Sequence, residues 1–173
     1  MENFENALMG GHPNSLGNTV EVVATVLKHP ERFEELFNCY FSEDEVVRLR
    51  VSNAMKRIGK EQKALLVPYI DRFLDVISTI EQASTQWTLA QLFLLLERDL
   101  NALQLRKAKE LLIKNLGRHD DWIVLNTTME TLGRWAKKDA KLKQWLIPQL
   151  ERLSKDSRKS VHGRAKKILL KIQ

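Results

Sequence analysis

Val47-Arg48-Leu49-Arg50-Val51-Ser52-Asn53-Ala54-Met55-Lys56-Arg57-Ile58 sets Val47, Val51, Ala54, Met55 and Ile58 at i, i+4, i+7, i+8 and i+11. That spacing lays five apolar side chains along one stripe of an α-helix. The same offsets return at Thr85, Leu89, Leu92, Phe93 and Leu96, at Val124, Thr128, Thr131, Leu132 and Trp135, and at Val161, Ala165, Ile168, Leu169 and Ile172. The starts at 47, 85, 124 and 161 lie 38, 39 and 37 residues apart. One amphipathic helix per unit, held in register at this period, is the pattern of a helical-repeat solenoid whose units cannot bury their apolar faces alone.

Outward from these stripes the chain reads as helix pairs. The first helix of each pair is expected over 31–41, 62–79, 102–117 and 140–155, and its partner over 44–59, 84–97, 120–137 and 158–172. Ser42, Ser84, Asp120 and Ser157 are placed to cap the second helices, because a short side-chain oxygen accepts from a first-turn amide that has no partner in the helix. Gly59 and Gly117 sit where helices should stop. Pro68 and Pro148 occupy the matching contexts Leu66-Val67-Pro68 and Leu146-Ile147-Pro148 inside first helices. A missing N–H and a ring that clashes with the preceding turn predict a bend at each.

Ahead of the pairs, Val20, Val23, Ala24 and Leu27 predict the buried stripe of an initial helix, capped by Asn18 or Thr19 and ending before Pro30. Gly10-Gly11-His12-Pro13-Asn14 and Gly17-Asn18 carry too many breakers for a lasting helix, so residues 1–18 are expected to form a flexible arm. The organisation expected is that arm followed by one repeat domain over 19–173, with units of about 30–60, 61–99, 100–138 and 139–173.

A chain of 173 residues, 43% hydrophobic, can bury one core or support one short repeat array. Abundant Leu, Lys, Glu, Arg and Ala favour helix throughout. The single Cys39 cannot form an internal disulfide, and the longest apolar run, Leu92 to Leu96, is five residues, far short of a membrane span. With no charged-then-apolar leader, the expectation is a soluble, cytoplasmic protein. The net charge of +6 hides a gradient: residues 1–47 carry 2 basic and 9 acidic side chains, residues 48–133 carry 13 and 10, and residues 134–173 carry 13 and 3. The basic end is where an anionic partner is expected.

A bent first helix followed by Asp44-Glu45-Val46-Val47-Arg48 opening a second resembles the HEAT repeat, over roughly residues 30–172. The stretch from Gly10-Gly11 to Ser15-Leu16-Gly17, followed by the first unit, is similar to a group of small bacterial HEAT-like proteins. The resemblance implies an all-α fold, a right-handed α-α superhelix (HEAT-like solenoid) of about four helix pairs plus an N-terminal helix. It also implies an Asp and an Arg bridging adjacent units. Asp44 and Arg48 keep both; Ser84 or Thr85 with Gln86, Asp121 with Leu125, and Arg158 with His162 do not.

Second helices of stacked pairs usually line a concave face. Their positions outside the stripes are Arg50, Asn53 and Arg57; Thr88, Gln91 and Leu95; Thr127, Glu130 and Arg134; and Arg164, Lys167 and Lys171. Five of the six in the two end units are basic, a lining that could meet a phosphate backbone or equally be a solvated helix face. Leu95 is either buried in the central unit or an apolar anchor. Trp135 and Trp145 fall on apolar stripes and are expected in the core, while Trp87 and Trp122 are groove wall or filler between repeats.

His119-Asp120-Asp121 alone has a catalytic look, but His12, His29 and His162 stand at no ligand-like spacing. The aspartates are read as helix caps. There is no Gly-x-Ser-x-Gly, Cys39 lies in the apolar run Phe37-Asn38-Cys39-Tyr40-Phe41, and Gly10–Asn18 lacks the spacing and lysine of a P-loop. No catalytic residue, cofactor or metal is expected. The reading is a non-enzymatic HEAT-repeat scaffold or adaptor for protein–protein interaction. Its concave groove would bind through Arg50, Asn53, Arg57, Gln91, Leu95, Arg134, Arg164, Lys167 and Lys171, with no membrane role. The alternatives are nucleic-acid backbone binding through the basic C-terminal units and, by likeness of fold alone, an alkylation-repair glycosylase using Trp87, Asp120, Asp121 and Arg134.

Overall fold

The computed structural model describes residues 3–12 and 14–172, and every regular element among them is helical. Ten α-helices run in order: α1 Phe4–Leu8, α2 Thr19–Lys28, α3 Phe33–Asn38, α4 Glu45–Glu61, α5 Ile70–Asp75, α6 Ala83–Leu95, α7 Ala102–Arg118, α8 Trp122–Ala136, α9 Ala140–Leu153 and α10 Lys159–Ile172. Single 3-10 turns occupy Pro30–Arg32, Cys39–Phe41, Lys63–Leu65, Val67–Tyr69 and Ile77–Thr79. The chain divides between Thr88 and Leu89, inside α6, into two compact units.

Of the twenty repeated stripe positions, nineteen are buried; Leu169 is half-buried. In the first unit α2 packs on α4, and α1 touches α2, α3 and α4. Its aromatic core centres on Phe37, whose ring lies 4.8 Å from Tyr69, 5.2 Å from Phe73 and 5.9 Å from Tyr40. In the second unit α8 packs against α7, α9 and α10, and α9 packs against α10.

Polar links recur at close to the repeat period. In the first unit Arg48 donates to Gln82 (2.7 Å), Gln82 donates to the Glu45 carbonyl (2.9 Å), and Arg72 pairs with Glu34 (2.7 Å). In the second, Lys109 pairs with Asp139 (2.7 Å), and Arg158 reaches Asp120 (3.5 Å) while Asp156 holds it at 2.8 Å. The Asp–Arg bridge between units that the resemblance implies is not formed by Asp44 and Arg48. Asp44 caps its own helix by accepting from the Val46 amide, and Arg48 finds a glutamine instead.

Several local expectations are corrected. The segment before α2, expected to sustain no helix for long, contains the five-residue α1 with Phe4 and Leu8 buried; Pro13 lies outside the described residues. The buried face of α2 is Val22, Val23 and Val26, with Val20 and Ala24 exposed. Thr19 is itself fully buried and donates its hydroxyl to the Leu16 carbonyl, which fixes the helix rotation. The expected 31–41 and 62–79 helices break into short helices and 3-10 turns. Pro68 sits in the opening of the Val67–Tyr69 turn, where its missing N–H costs nothing, whereas Pro148 lies inside the continuous α9 held by buried Leu142, Leu146, Leu150 and Leu153. The caps fall at Asp44 and Asp121 instead of Ser42 and Asp120. Gly59 is buried within α4, which runs on to Glu61.

Two threonines one turn apart on α8 give a paired prediction. Thr131 donates its buried hydroxyl to the Ala90 carbonyl (2.8 Å), while the Thr128 hydroxyl is buried with no partner among the described residues. Thr131→Val is expected to destabilise by about 1 kcal/mol. Thr128→Val removes a desolvated group with nothing to lose, so it is expected to be neutral or stabilising by up to about 1 kcal/mol. Urea unfolding midpoints of the two variants check the opposite signs.

Candidate functional site

The second unit builds its basic face from α8 and α10. Gly133 lets these helices approach closely, since a Cβ there would lie 2.6 Å from Ile168 Cγ2. This brings Glu130 and Arg134 of α8 beside Arg164 of α10. Glu130 accepts from Arg134 at 3.2 Å and from Arg164 at 2.7 Å. Burial alone would raise the Glu130 carboxyl, but the two guanidinium groups together hold it below its ordinary value. One and two turns along α10, Lys167 and Lys171 are exposed, as is Lys166, and among the described residues none of the three pairs with a carboxylate. Leu170 stands among them 82% exposed.

Two acids of the loops that flank α9 have partners of their own. Asp139 is held by its cap bond to the Leu142 amide and by Lys109, and Asp156 by Arg158; each carboxyl is lowered, Asp156 well below the carboxylate range. The face is thus cationic with one clamped carboxylate, Glu130, whose double pairing sequence reasoning missed. The signal was there in part: Glu130 and Arg134 are four residues apart on one helix.

Other expected site residues fall differently. Arg50 is 2% exposed and donates into the loop that precedes α2, so it is not part of an open lining. Its long side chain finds backbone carbonyls close by and is enclosed by them. Asn53 is half-buried and accepts from exposed Arg57 at 2.7 Å. Gln91 is exposed and Leu95 is 37% exposed, while Thr88 is fully buried and so does not line a groove. Thr127 donates to the Ile123 carbonyl of its own helix.

Trp135 is buried and Trp145 half-buried; Trp87 is half-buried, and Trp122, the first residue of α8, is 49% exposed. His119 Nδ1 accepts from the Asp121 amide (3.2 Å), and Asp121 caps α8, so this cluster is spent on the turn. The Cys39 thiol is pushed up to about 12 by burial and by Glu5 and Glu35, which leaves it protonated at neutral pH. Among the described residues no three His, Cys, Asp or Glu side chains gather as a metal site would need, and no helix is long and apolar enough to cross a membrane. No protein-family model matches the chain, and comparisons with curated proteins and with solved structures give no match.

Proposed function

We propose that the protein is a non-enzymatic, cytoplasmic adaptor built of HEAT-like repeats, which holds an acidic protein segment on the α8–α10 face. The observation that carries this reading is the row of exposed Lys166, Lys167 and Lys171 around an exposed Leu170. Exposed ammonium groups steer an anionic partner, and an apolar side chain among them suits a partner with an apolar residue of its own better than it suits a phosphate backbone. The HEAT-like superhelix is supported by the 38, 39 and 37 residue spacing of the buried stripes and by polar links at nearly the same separation.

Titration with an acidic peptide containing one leucine, against a poly-thymidine oligonucleotide of equal charge, tests the reading. Lys167→Glu with Lys171→Glu is expected to weaken peptide binding about tenfold or more. Glu130→Gln frees Arg134 and Arg164 from their shared carboxylate and is expected to tighten it by about threefold. Tighter binding of the oligonucleotide than of the peptide would move the function to nucleic-acid backbone. No binding of either at low salt would remove the face from consideration.

A further inference from the structure

The N-terminal segment closes on one side chain. Arg50, on α4, donates through one terminal nitrogen to the carbonyls of Leu8 (2.6 Å), Met9 (3.2 Å) and Gly10 (2.6 Å). The other terminal nitrogen reaches the His12 carbonyl (3.4 Å), and Nε the Ser15 carbonyl (3.3 Å). Every described residue from Met9 to Asn18 is exposed, so none of the described side chains of this stretch is buried. At its ends it is tied by the Asn18 side chain, which donates to the Ala7 carbonyl (3.1 Å), and by Thr19, which donates to the Leu16 carbonyl; between them the side chain that holds it is the Arg50 guanidinium. Gly11 and Gly17 make the closure sterically feasible: both have positive φ, and a Cβ at Gly17 would lie 2.8 Å from Arg50 Cζ.

The acceptors are all neutral. Among the described residues no carboxylate pairs with Arg50, so a buried cation is compensated by carbonyl dipoles alone. A carboxylate would supply the opposite charge and a bidentate match that carbonyls cannot. Arg57 stands seven residues on, two turns along the same helix face, and is exposed. Nearby Lys56 has its ammonium lowered by burial and by Lys60 and Arg57, as expected for a stretch of helix with excess positive charge.

We propose that the described residues 9–12 and 14–18 form a releasable strap masking a carboxylate-binding site made by Arg50 and Arg57, which takes an acidic protein segment when the strap lifts. The site lies in the first unit and does not depend on the α8–α10 reading. While the strap is seated, the apparent affinity for an acidic segment is reduced by the fraction of molecules in which it is open. Opening it raises affinity with no new contact.

The test uses the full chain carrying Lys167→Glu and Lys171→Glu, which silences the α8–α10 face, and hexaglutamate as the probe. Gly17→Ala in that background is expected to speed hydrogen exchange at residues 9–18 by about tenfold while the α4 amides stay protected. It is expected to tighten hexaglutamate binding about tenfold as well. Arg50→Met also frees the strap but removes the receptor, so exchange should quicken with no gain in binding. If Gly17→Ala exposes α4 itself to exchange, Gly11→Ala, whose Cβ would meet Arg50 at 3.4 Å, takes its place. Unchanged strap exchange, an opened strap with no gain, or a gain that survives Arg50→Met each overturns the proposal. So does a gain for a hexathymidylate and none for the peptide.

Discussion

Phe37→Ala is expected to destabilise the first unit by about 3–5 kcal/mol, the range for deleting a fully buried ring whose site collapses only in part. Phe37 is 0% exposed and packs edge-on or tilted against three rings, with the Arg72 guanidinium 4.2 Å from its centroid. The same arginine donates to Glu34 at 2.7 Å, and Tyr69 donates to that carboxylate at 2.6 Å. Removing the ring therefore leaves a cavity and also takes away the platform under an ion pair between α3 and α5. Those exposed polar groups can turn to water, so the cavity and lost transfer energy dominate. Urea unfolding with hydrogen exchange resolved by segment checks this: protection should fall first over α2 to α5. An unchanged midpoint would mean that Phe37 is not central to that core.

Gly133→Val is expected to cost about 2–3 kcal/mol and lower Tm by roughly 5–10 °C. Already a Cβ at this position would lie 2.6 Å from Ile168 Cγ2, a branch methyl that cannot swing aside as a long side chain could. The two added methyls of valine must push α8 and α10 apart, which also opens the 2.7 Å pair between Glu130 and Arg164. Binding at the basic face should change along with stability. Gly163 supplies the control, for it lies in α10 where an added Cβ would have nothing within 4 Å. There, Gly163→Ala is expected to stabilise by up to about 1 kcal/mol through helix propensity alone. Calorimetric Tm values of opposite sign for the two glycines would bear out the packing argument; a loss at both would refute it.

The face on α8 and α10 was legible as a row of basic residues at helical spacing, because wheel position follows from local geometry. Its clamp was not. Glu130 and Arg164 stand 34 residues apart, and only the close crossing at Gly133 brings them to 2.7 Å. The same limit explains Val20 and Ala24. A valine-rich helix offers more than one plausible buried stripe, and the choice went to Val22 and Val26 because Thr19 is seated under the preceding loop.

By itself the sequence determined that the chain is helical and which faces of the second helices are buried: nineteen of twenty repeated positions are inside. The physical reason is that a 3.6-residue period is written in neighbouring residues and needs no distant partner. Tertiary structure alone decided the fate of the charges. Arg50 and Lys167 are both cations outside the stripes, yet one is 2% exposed and the other is open to solvent. Whether such a side chain meets water or carbonyl oxygens depends on backbone 35 to 42 residues away in the chain, as for Arg50. No local pattern encodes an encounter over that separation.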